Sequence, residues 1–189
     1  MRISVDGNIG CGKTTIINML KNHYSNINII EENVLEWKPF LKEFYKDMKN
    51  NSLLFQIKVL EHHIISKNNS EVSIHERSPN SCINIFGEDL YENGYLSKLD
   101  MKLMNSYNSK LGWMPDYTIY LKCSSNTCFQ RYKKRNRKNE EIPIRYLKNI
   151  ESKYNKLYED NNIFIVDAEQ NIEVVFSSVL NMIEKIVNK

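Results

Sequence analysis

The sequence predicts an α/β fold in which helices cover both faces of a five-stranded parallel sheet. Short apolar runs rich in β-branched residues alternate with longer segments whose apolar residues recur at helical spacing. The predicted order is strand, helix, strand, helices, strand, helices, strand, helix, strand, helix. The predicted strands are Arg2–Val5, Ile27–Ile30, Val72–His75, Tyr117–Leu121 and Ile163–Val166. The predicted helices are Thr14–Tyr24, Leu53–Ile65, Asn126–Lys134, Pro143–Asp160 and Ile172–Val187.

Length and composition narrow the class of protein. The 189 residues suit one domain, 1–189, because no linker is long enough to divide them. A net charge of +3 does not indicate a nucleic-acid or membrane partner, and no apolar run reaches bilayer length. The first predicted strand begins at Arg2, so we expect no signal or transit peptide and a cytoplasmic location. The spacing of the cysteines indicates free thiols rather than a zinc site or disulfides. They are Cys11, Cys82, Cys123 and Cys128.

A phosphate-binding loop follows the first strand. Residues 7–14 match the pattern G-x-x-x-x-G-K-[ST] and lie between a predicted strand and a predicted helix, the context in which this pattern binds phosphate. Glycines let backbone N–H groups turn towards the phosphates, and the helix N-terminus adds positive charge. We expect Lys13 to reach the β- and γ-phosphates of ATP and the Thr14 hydroxyl to bind Mg²⁺. The predicted ATP-binding residues here are Gly7, Asn8, Ile9, Gly10, Cys11, Gly12, Lys13, Thr14 and Thr15.

Arginine usage gives a second indication of phosphate chemistry. Lysine outnumbers arginine 20 to 6, yet four of the six arginines are Arg77, Arg131, Arg135 and Arg137. A planar guanidinium binds phosphate oxygens through two donors, which lysine does not. Residues 133–141 contain no apolar side chain, which fits either a solvated loop or a cationic lid. The guanine-reading pattern Asn-Lys-x-Asp is absent from the sequence, so a small-molecule kinase is favoured over a GTPase.

Several further segments resemble the deoxyribonucleoside kinase family, which holds animal deoxycytidine, deoxyguanosine and mitochondrial thymidine kinases and an insect multisubstrate enzyme. The resemblance runs nearly end to end and implies a P-loop kinase fold. It also implies transfer of the ATP γ-phosphate to the 5′-hydroxyl of a deoxynucleoside in nucleotide salvage, and suggests a homodimer. The segments are Glu31–Trp37, Tyr45–Asp47, Phe55–Gln56, Glu76–Ser78, Arg131–Arg137 and Glu140–Pro143.

The resemblance implies roles for the polar residues near the transferred phosphate. Asn33 replaces the proline that usually follows the catalytic glutamate, so either Glu31 or Glu32 could correspond to it; the spacing of five positions to Trp37 favours Glu32. Glu76 would help to hold Mg²⁺. Arg77 would contact the 5′ oxygen of the nucleoside and the carboxylate of the catalytic glutamate. Residues from about 131 to 143 would form the lid. In it Arg135 and Arg137 would clamp the phosphate, and Arg131 would stack on adenine.

The resemblance also implies a nucleoside pocket. Trp37, Phe55 and Phe86 would enclose the base, and the Gln56 amide would read it by offering one donor and one acceptor. The sugar 3′-hydroxyl would be held by Tyr45 and by either Glu140 or Glu141, of which Glu141 is preferred.

Three positions predict which base is accepted. Family members restricted to deoxycytidine and purines carry an arginine and an aspartate beside the nucleobase. At the corresponding positions this sequence has His63 and Cys82. Val59, one turn before His63, is small and apolar, as in the family members that accept thymidine. We therefore expect thymidine as the best substrate, deoxycytidine second, and purine nucleosides poor. One rival is a thymidylate kinase, which would need a cation where Glu32 stands. Another is a nucleotide-binding module without catalysis.

Overall fold

The computed structural model describes residues 1–67, 70–135, 142–158 and 162–187. Within these ranges one sheet contains five strands, all parallel, which confirms the predicted fold class. The strands are β1 (Arg2–Asp6), β2 (Asn28–Ile30), β3 (Ser73–Glu76), β4 (Tyr117–Lys122) and β5 (Ile163–Asp167). Their order across the sheet is β2-β3-β1-β4-β5.

Helices connect successive strands, and a last helix follows β5. They are α1 (Lys13–His23), α2 (Val34–Lys46), α3 (Met48–Ile65), α4 (Pro79–Ser81), α5 (Glu88–Glu92), α6 (Lys98–Leu111), α7 (Ser125–Arg135), α8 (Ile144–Leu157) and α9 (Ile172–Val187). A π-helical segment, Cys82–Gly87, joins α4 to α5. Two helices, α7 and α8, follow β4; the predicted ranges Asn126–Lys134 and Pro143–Asp160 included both, although the predicted order counted a single helix there.

Helix α3 begins five residues earlier than predicted. The side chain of Asp47 accepts a hydrogen bond from the backbone N–H of Asn50 at 3.2 Å, which caps the helix before its apolar stripe begins. The helix predicted over Pro143–Asp160 is observed as α8. Pro143 lies directly before it, and Asp160 falls outside the described residues.

The core forms around the central strand. Residues Ile3–Asp6 of β1 are all buried, because β1 has a neighbouring strand on each side and helices above and below. Ile17 of α1 and Val179 and Ile183 of α9 belong to the same apolar cluster. A second cluster packs α3, α6 and the π-helical segment together, through Leu60, Met104 and Ile83.

This strand order brings three segments together at one edge of the sheet. Val5 of β1 is paired with Glu76 of β3, so the loop that follows β1 lies beside the residues that follow β3. Strand β2 pairs with the other side of β3 and ends two residues before Glu32. The carboxyl ends of parallel strands are where such sheets bind ligands. In the described ranges, no helix has both the length and the apolar character needed to cross a membrane.

Candidate active site

A cavity of about 670 Å³ opens at the carboxyl ends of the strands. The predicted site residues that line it are Ile9, Gly10, Cys11, Gly12, Lys13, Thr14, Thr15, Glu32, Trp37, Tyr45, Phe55, Gln56, Val59, His63, Glu76, Arg77, Cys82, Phe86, Arg131 and Arg135. Gly7 and Asn8 lie directly behind it, where their carbonyls contact the Lys13 ammonium. Arg137, Glu140 and Glu141 lie outside the described residues, so the roles predicted for them stay predictions.

The phosphate loop is wound around the side chain of Lys13. The Nζ atom of this buried lysine donates hydrogen bonds to the carbonyls of Gly7 at 2.9 Å and Asn8 at 2.8 Å. Gly10 has a φ of 86°, and a Cβ there would lie 2.4 Å from the carbonyl oxygen of Cys128. Only glycine fits that position. The loop leads directly into α1, so backbone N–H groups and the helix N-terminus together form an anion-binding site.

Thr14 and Glu76 form a pair of hard oxygen ligands beside this loop. The Thr14 hydroxyl donates to Oε1 of Glu76 at 2.8 Å, and Oε2 of Glu76 accepts from the backbone N–H of Glu32 at 3.4 Å. Burial and the nearby Glu32 carboxylate raise the pKa of Glu76. A hydroxyl and a carboxylate that share the cavity with the phosphate loop fit Mg²⁺, which prefers oxygen ligands.

Glu32 extends into the cavity between Arg77 and His63. Its Oε2 accepts a hydrogen bond from the Arg77 guanidinium, and its Oε1 lies 3.7 Å from Nε2 of His63. Burial alone would raise the pKa of Glu32, but the nearby positive charges, that of Arg77 first, and the Arg77 hydrogen bond together hold the pKa below its ordinary value. Glu32 is therefore ionised at neutral pH. The neighbouring Glu31 is exposed and pairs with Lys21 at 3.0 Å instead.

Arg77 has an unusual backbone conformation. Its φ of 63° lies in the left-handed region, which costs a non-glycine residue free energy and recurs at functional sites. The guanidinium carbon lies 5.0 Å from the centre of the Phe86 ring, and NH2 donates to the Gly7 carbonyl at 3.3 Å. One side chain therefore contacts both the phosphate loop and Glu32.

Helices α2 and α3 and the π-helical segment form the other half of the cavity. Phe55 stacks on Phe44 with ring centres 4.9 Å apart. The Cys82 thiol donates to Oε1 of Gln56 at 3.4 Å. His63 is 2% exposed, and burial lowers its pKa to about 4, so its imidazole is neutral at physiological pH. Aromatic walls around a single amide suit a flat polar ligand such as a nucleobase.

Comparison with known proteins identifies the family. The sequence profile of the deoxynucleoside kinases matches residues 3–188. The chain belongs to the deoxynucleoside kinase family. It is accordingly an enzyme that transfers a phosphate group to a nucleoside hydroxyl.

Relatives and solved structures cover nearly the whole chain. Protein 029R of Invertebrate iridescent virus 3 is 33% identical over 193 residues, which span 99% of this chain and 98% of its own. Mitochondrial thymidine kinase 2 of Macaca fascicularis is 30% identical over 183 residues, spanning 88% of this chain and 67% of its own. A structure of deoxyadenosine kinase from M. mycoides, with the products dCMP and dCDP bound, superposes with a TM-score of 0.85. It is 26% identical and covers 98% of this chain and 100% of its own.

Arg131 of this deoxynucleoside kinase has more contacts than the sequence suggested. Its NH1 group donates to the carbonyls of Cys11 at 3.3 Å and Ala168 at 2.8 Å. These bonds join α7 to the phosphate loop and to the residue after β5. Stacking of Arg131 on adenine stays a prediction, since no ligand contact bears on it.

Sequence reasoning missed a buried group behind this kinase's phosphate loop. Asp6, fully buried at the end of β1, accepts hydrogen bonds from the hydroxyls of Tyr154 and Tyr158, each at 2.7 Å. A carboxylate directly before Gly7 and two tyrosines four residues apart on one predicted helix were the available signals. Neither signal shows that the two segments meet.

Proposed function

We propose that this kinase transfers the γ-phosphate of ATP to the 5′-hydroxyl of a deoxynucleoside, preferably a pyrimidine nucleoside. Residues 1–189 would act as one domain, with the phosphate loop at 7–14 and a lid at about 131–143. The observation that carries the proposal is the ionised carboxylate of Glu32, held by Arg77 in the same cavity as the phosphate loop. In-line transfer requires a general base that contacts the acceptor hydroxyl and lies close to the donor phosphates.

The donor half of the cavity binds the triphosphate. The loop N–H groups and Lys13 surround the phosphates, and Thr14 and Glu76 supply oxygen ligands for Mg²⁺. Bound Mg²⁺ would neutralise negative charge on the phosphate oxygens. Arg135, at the end of α7, lines the cavity, and we propose that it clamps the transferring phosphate together with Arg137.

The acceptor half activates the nucleoside. Glu32 accepts the proton of the 5′-hydroxyl as its oxygen attacks the γ-phosphorus, while Arg77 holds the carboxylate in place and faces the 5′ oxygen. A nucleoside monophosphate is disfavoured as acceptor, because its phosphate would face the negative charge of Glu32. This argues against thymidylate kinase activity. The 3′-hydroxyl is assigned to Tyr45 and Glu141.

Gln56 reads the base with help from Cys82. The thiol is a weak donor and a weak acceptor, so it tolerates both orientations of the Gln56 amide. One orientation matches thymine and the other matches cytosine. Burial lowers the pKa of His63 and raises the pKa of Cys82, so the imidazole stays neutral and the thiol stays protonated. The two side chains therefore form no salt bridge that would exclude the thymine methyl group.

We expect thymidine to have the highest kcat/KM, deoxycytidine the second highest, and deoxyadenosine and deoxyguanosine lower values. The measurement is phosphate transfer from labelled ATP with Mg²⁺ to these four nucleosides and to thymidylate. Faster use of either purine nucleoside than of thymidine contradicts the base preference. Thymidylate as the best acceptor, or no transfer to any acceptor, contradicts the proposed function itself.

Joint replacement of His63 by arginine and Cys82 by aspartate tests the pocket directly. An aspartate accepts hydrogen bonds only, so it should fix one orientation of Gln56, and the paired charges crowd the methyl position. Thymidine use should therefore fall more than deoxycytidine use. His23→Arg is the control, because His23 is exposed at the end of α1 and does not line the cavity, so the preference should stay unchanged.

We also propose a homodimer and a cytoplasmic location. Helix α6 exposes large apolar side chains every four residues, namely Leu99, Leu103, Tyr107 and Leu111. A stripe of this kind fits a second copy of the chain. Light scattering should give twice 22.4 kDa for the unaltered protein and the monomer mass for Leu103→Glu with Tyr107→Glu. Asn105→Glu is the control and should stay dimeric; a monomeric unaltered protein contradicts the dimer.

The four free, buried thiols support the proposed cytoplasmic location, because thiols stay reduced in a reducing compartment.

A further inference from the structure

Asp6 is a buried carboxylate that the proposed reaction does not use. Its Oδ1 accepts hydrogen bonds from the Gly7 N–H at 2.8 Å and from the Tyr154 hydroxyl at 2.7 Å. Its Oδ2 accepts from the Tyr158 hydroxyl at 2.7 Å. A fully buried carboxylate is costly unless such bonds satisfy it. Asp6 therefore ties the first residue of the phosphate loop to helix α8.

The same group reaches Arg77. Nε of Arg77 donates to the Tyr154 hydroxyl oxygen at 3.5 Å and lies 3.7 Å from Oδ1 of Asp6. Burial, followed by the Asp6 charge, raises the pKa of Tyr154 well above its ordinary value, so the phenol stays protonated. Its oxygen accepts from Arg77 while its proton is donated to Asp6.

The guanidinium is planar, so its edges move together. Tyr154 contacts the Nε edge, Gly7 contacts NH2, and Glu32 contacts NH1. Because the group is a rigid fork, holding Nε determines where NH1 points. The backbone N–H of Arg77 donates to the Val5 carbonyl of β1 at 3.0 Å, which fixes the main chain but leaves the orientation of the long side chain to its own contacts.

We infer that Asp6 and Tyr154 form a positioning pair that holds Arg77 in the orientation in which it contacts both Glu32 and the phosphate loop. The inference rests on the proposed function and deepens it. Neither residue touches the reacting atoms; both act through Arg77.

Tyr158, the residue directly after α8, provides a matched control. It stands one turn after Tyr154 and donates to the same carboxylate. Among the residues that the structure describes, the hydroxyl of Tyr154 lies within hydrogen-bond distance of Arg77, and that of Tyr158 does not. Loss of either hydroxyl removes one bond to Asp6, but only the loss of the first releases Arg77.

The experiment compares Tyr154→Phe with Tyr158→Phe in the full chain. Tyr154→Phe should lower kcat by about 10- to 100-fold, the effect of losing one hydrogen bond to a charged group, and change both KM values less than threefold. Tyr158→Phe should keep kcat within about twofold of the unaltered enzyme. Both variants should show a similar fall in melting temperature, because each loses one hydrogen bond to Asp6. Equal falls in kcat, or a normal kcat in Tyr154→Phe, overturn the inference.

A double-mutant cycle separates positioning from general damage. In an Arg77→Lys background, Tyr154→Phe should lower kcat by no more than about twofold further, because the tyrosine acts through the guanidinium. An undiminished effect in that background also overturns the inference. The proposed function fails separately, if the unaltered enzyme phosphorylates no nucleoside.

Discussion

The Glu32→Gln enzyme should lose roughly two to four orders of magnitude in kcat, with little change in nucleoside affinity. Glutamine keeps the size and the hydrogen-bonding shape of the side chain but does not accept the proton of the 5′-hydroxyl. Arg77 keeps Tyr154 and the Gly7 carbonyl as partners, so the cavity stays assembled. Initial rates give kcat, and titration calorimetry gives the nucleoside Kd.

Glu31→Gln is the control for this measurement. Glu31 is adjacent in sequence but exposed, and its carboxylate pairs with Lys21. An exposed pair of this kind contributes little to stability, so kcat should stay within about twofold of the unaltered value. Loss of activity in Glu31→Gln, with an active Glu32→Gln enzyme, would show that the neighbouring carboxylate is the base.

The sequence alone predicted those parts of the site that depend on particular residue types at fixed positions within one short segment. The phosphate loop needs a lysine and a hydroxyl at set positions between a strand and a helix, so Lys13 and Thr14 were identified directly. The choice between Glu31 and Glu32 rested on spacing to Trp37 and on a resemblance. In the structure, the two side chains extend in different directions after β2 ends at Ile30.

Contacts between distant segments were not predictable in this way. Asp6 and Tyr154 are 148 positions apart, and no local pattern links them. Arg131 was read as a ligand-binding arginine, and its bonds to the Cys11 and Ala168 carbonyls depend on how α7 packs against the loop. Such contacts come from tertiary packing, which a single sequence does not display.

The Lys13→Met enzyme should lose about three orders of magnitude in kcat/KM for ATP. Lys13 is the one lysine within the phosphate loop, and the residue is 5% exposed. Charge that develops on the transferring phosphate is stabilised most strongly by a cation that is already desolvated and oriented. Methionine keeps the length and apolar packing of the side chain and removes only the charge.

The fold should survive this substitution, which makes the kinetic result interpretable. The Gly7 carbonyl loses the Lys13 ammonium but keeps its bond from NH2 of Arg77 at 3.3 Å. Lys21→Met is the matched control, because Lys21 is an exposed lysine on the same helix and pairs only with Glu31 among the described residues. It should leave kcat/KM within about twofold. A Lys13→Met enzyme that melts normally and stays within about tenfold of the unaltered kcat/KM would show that the loop backbone alone stabilises the transferring phosphate.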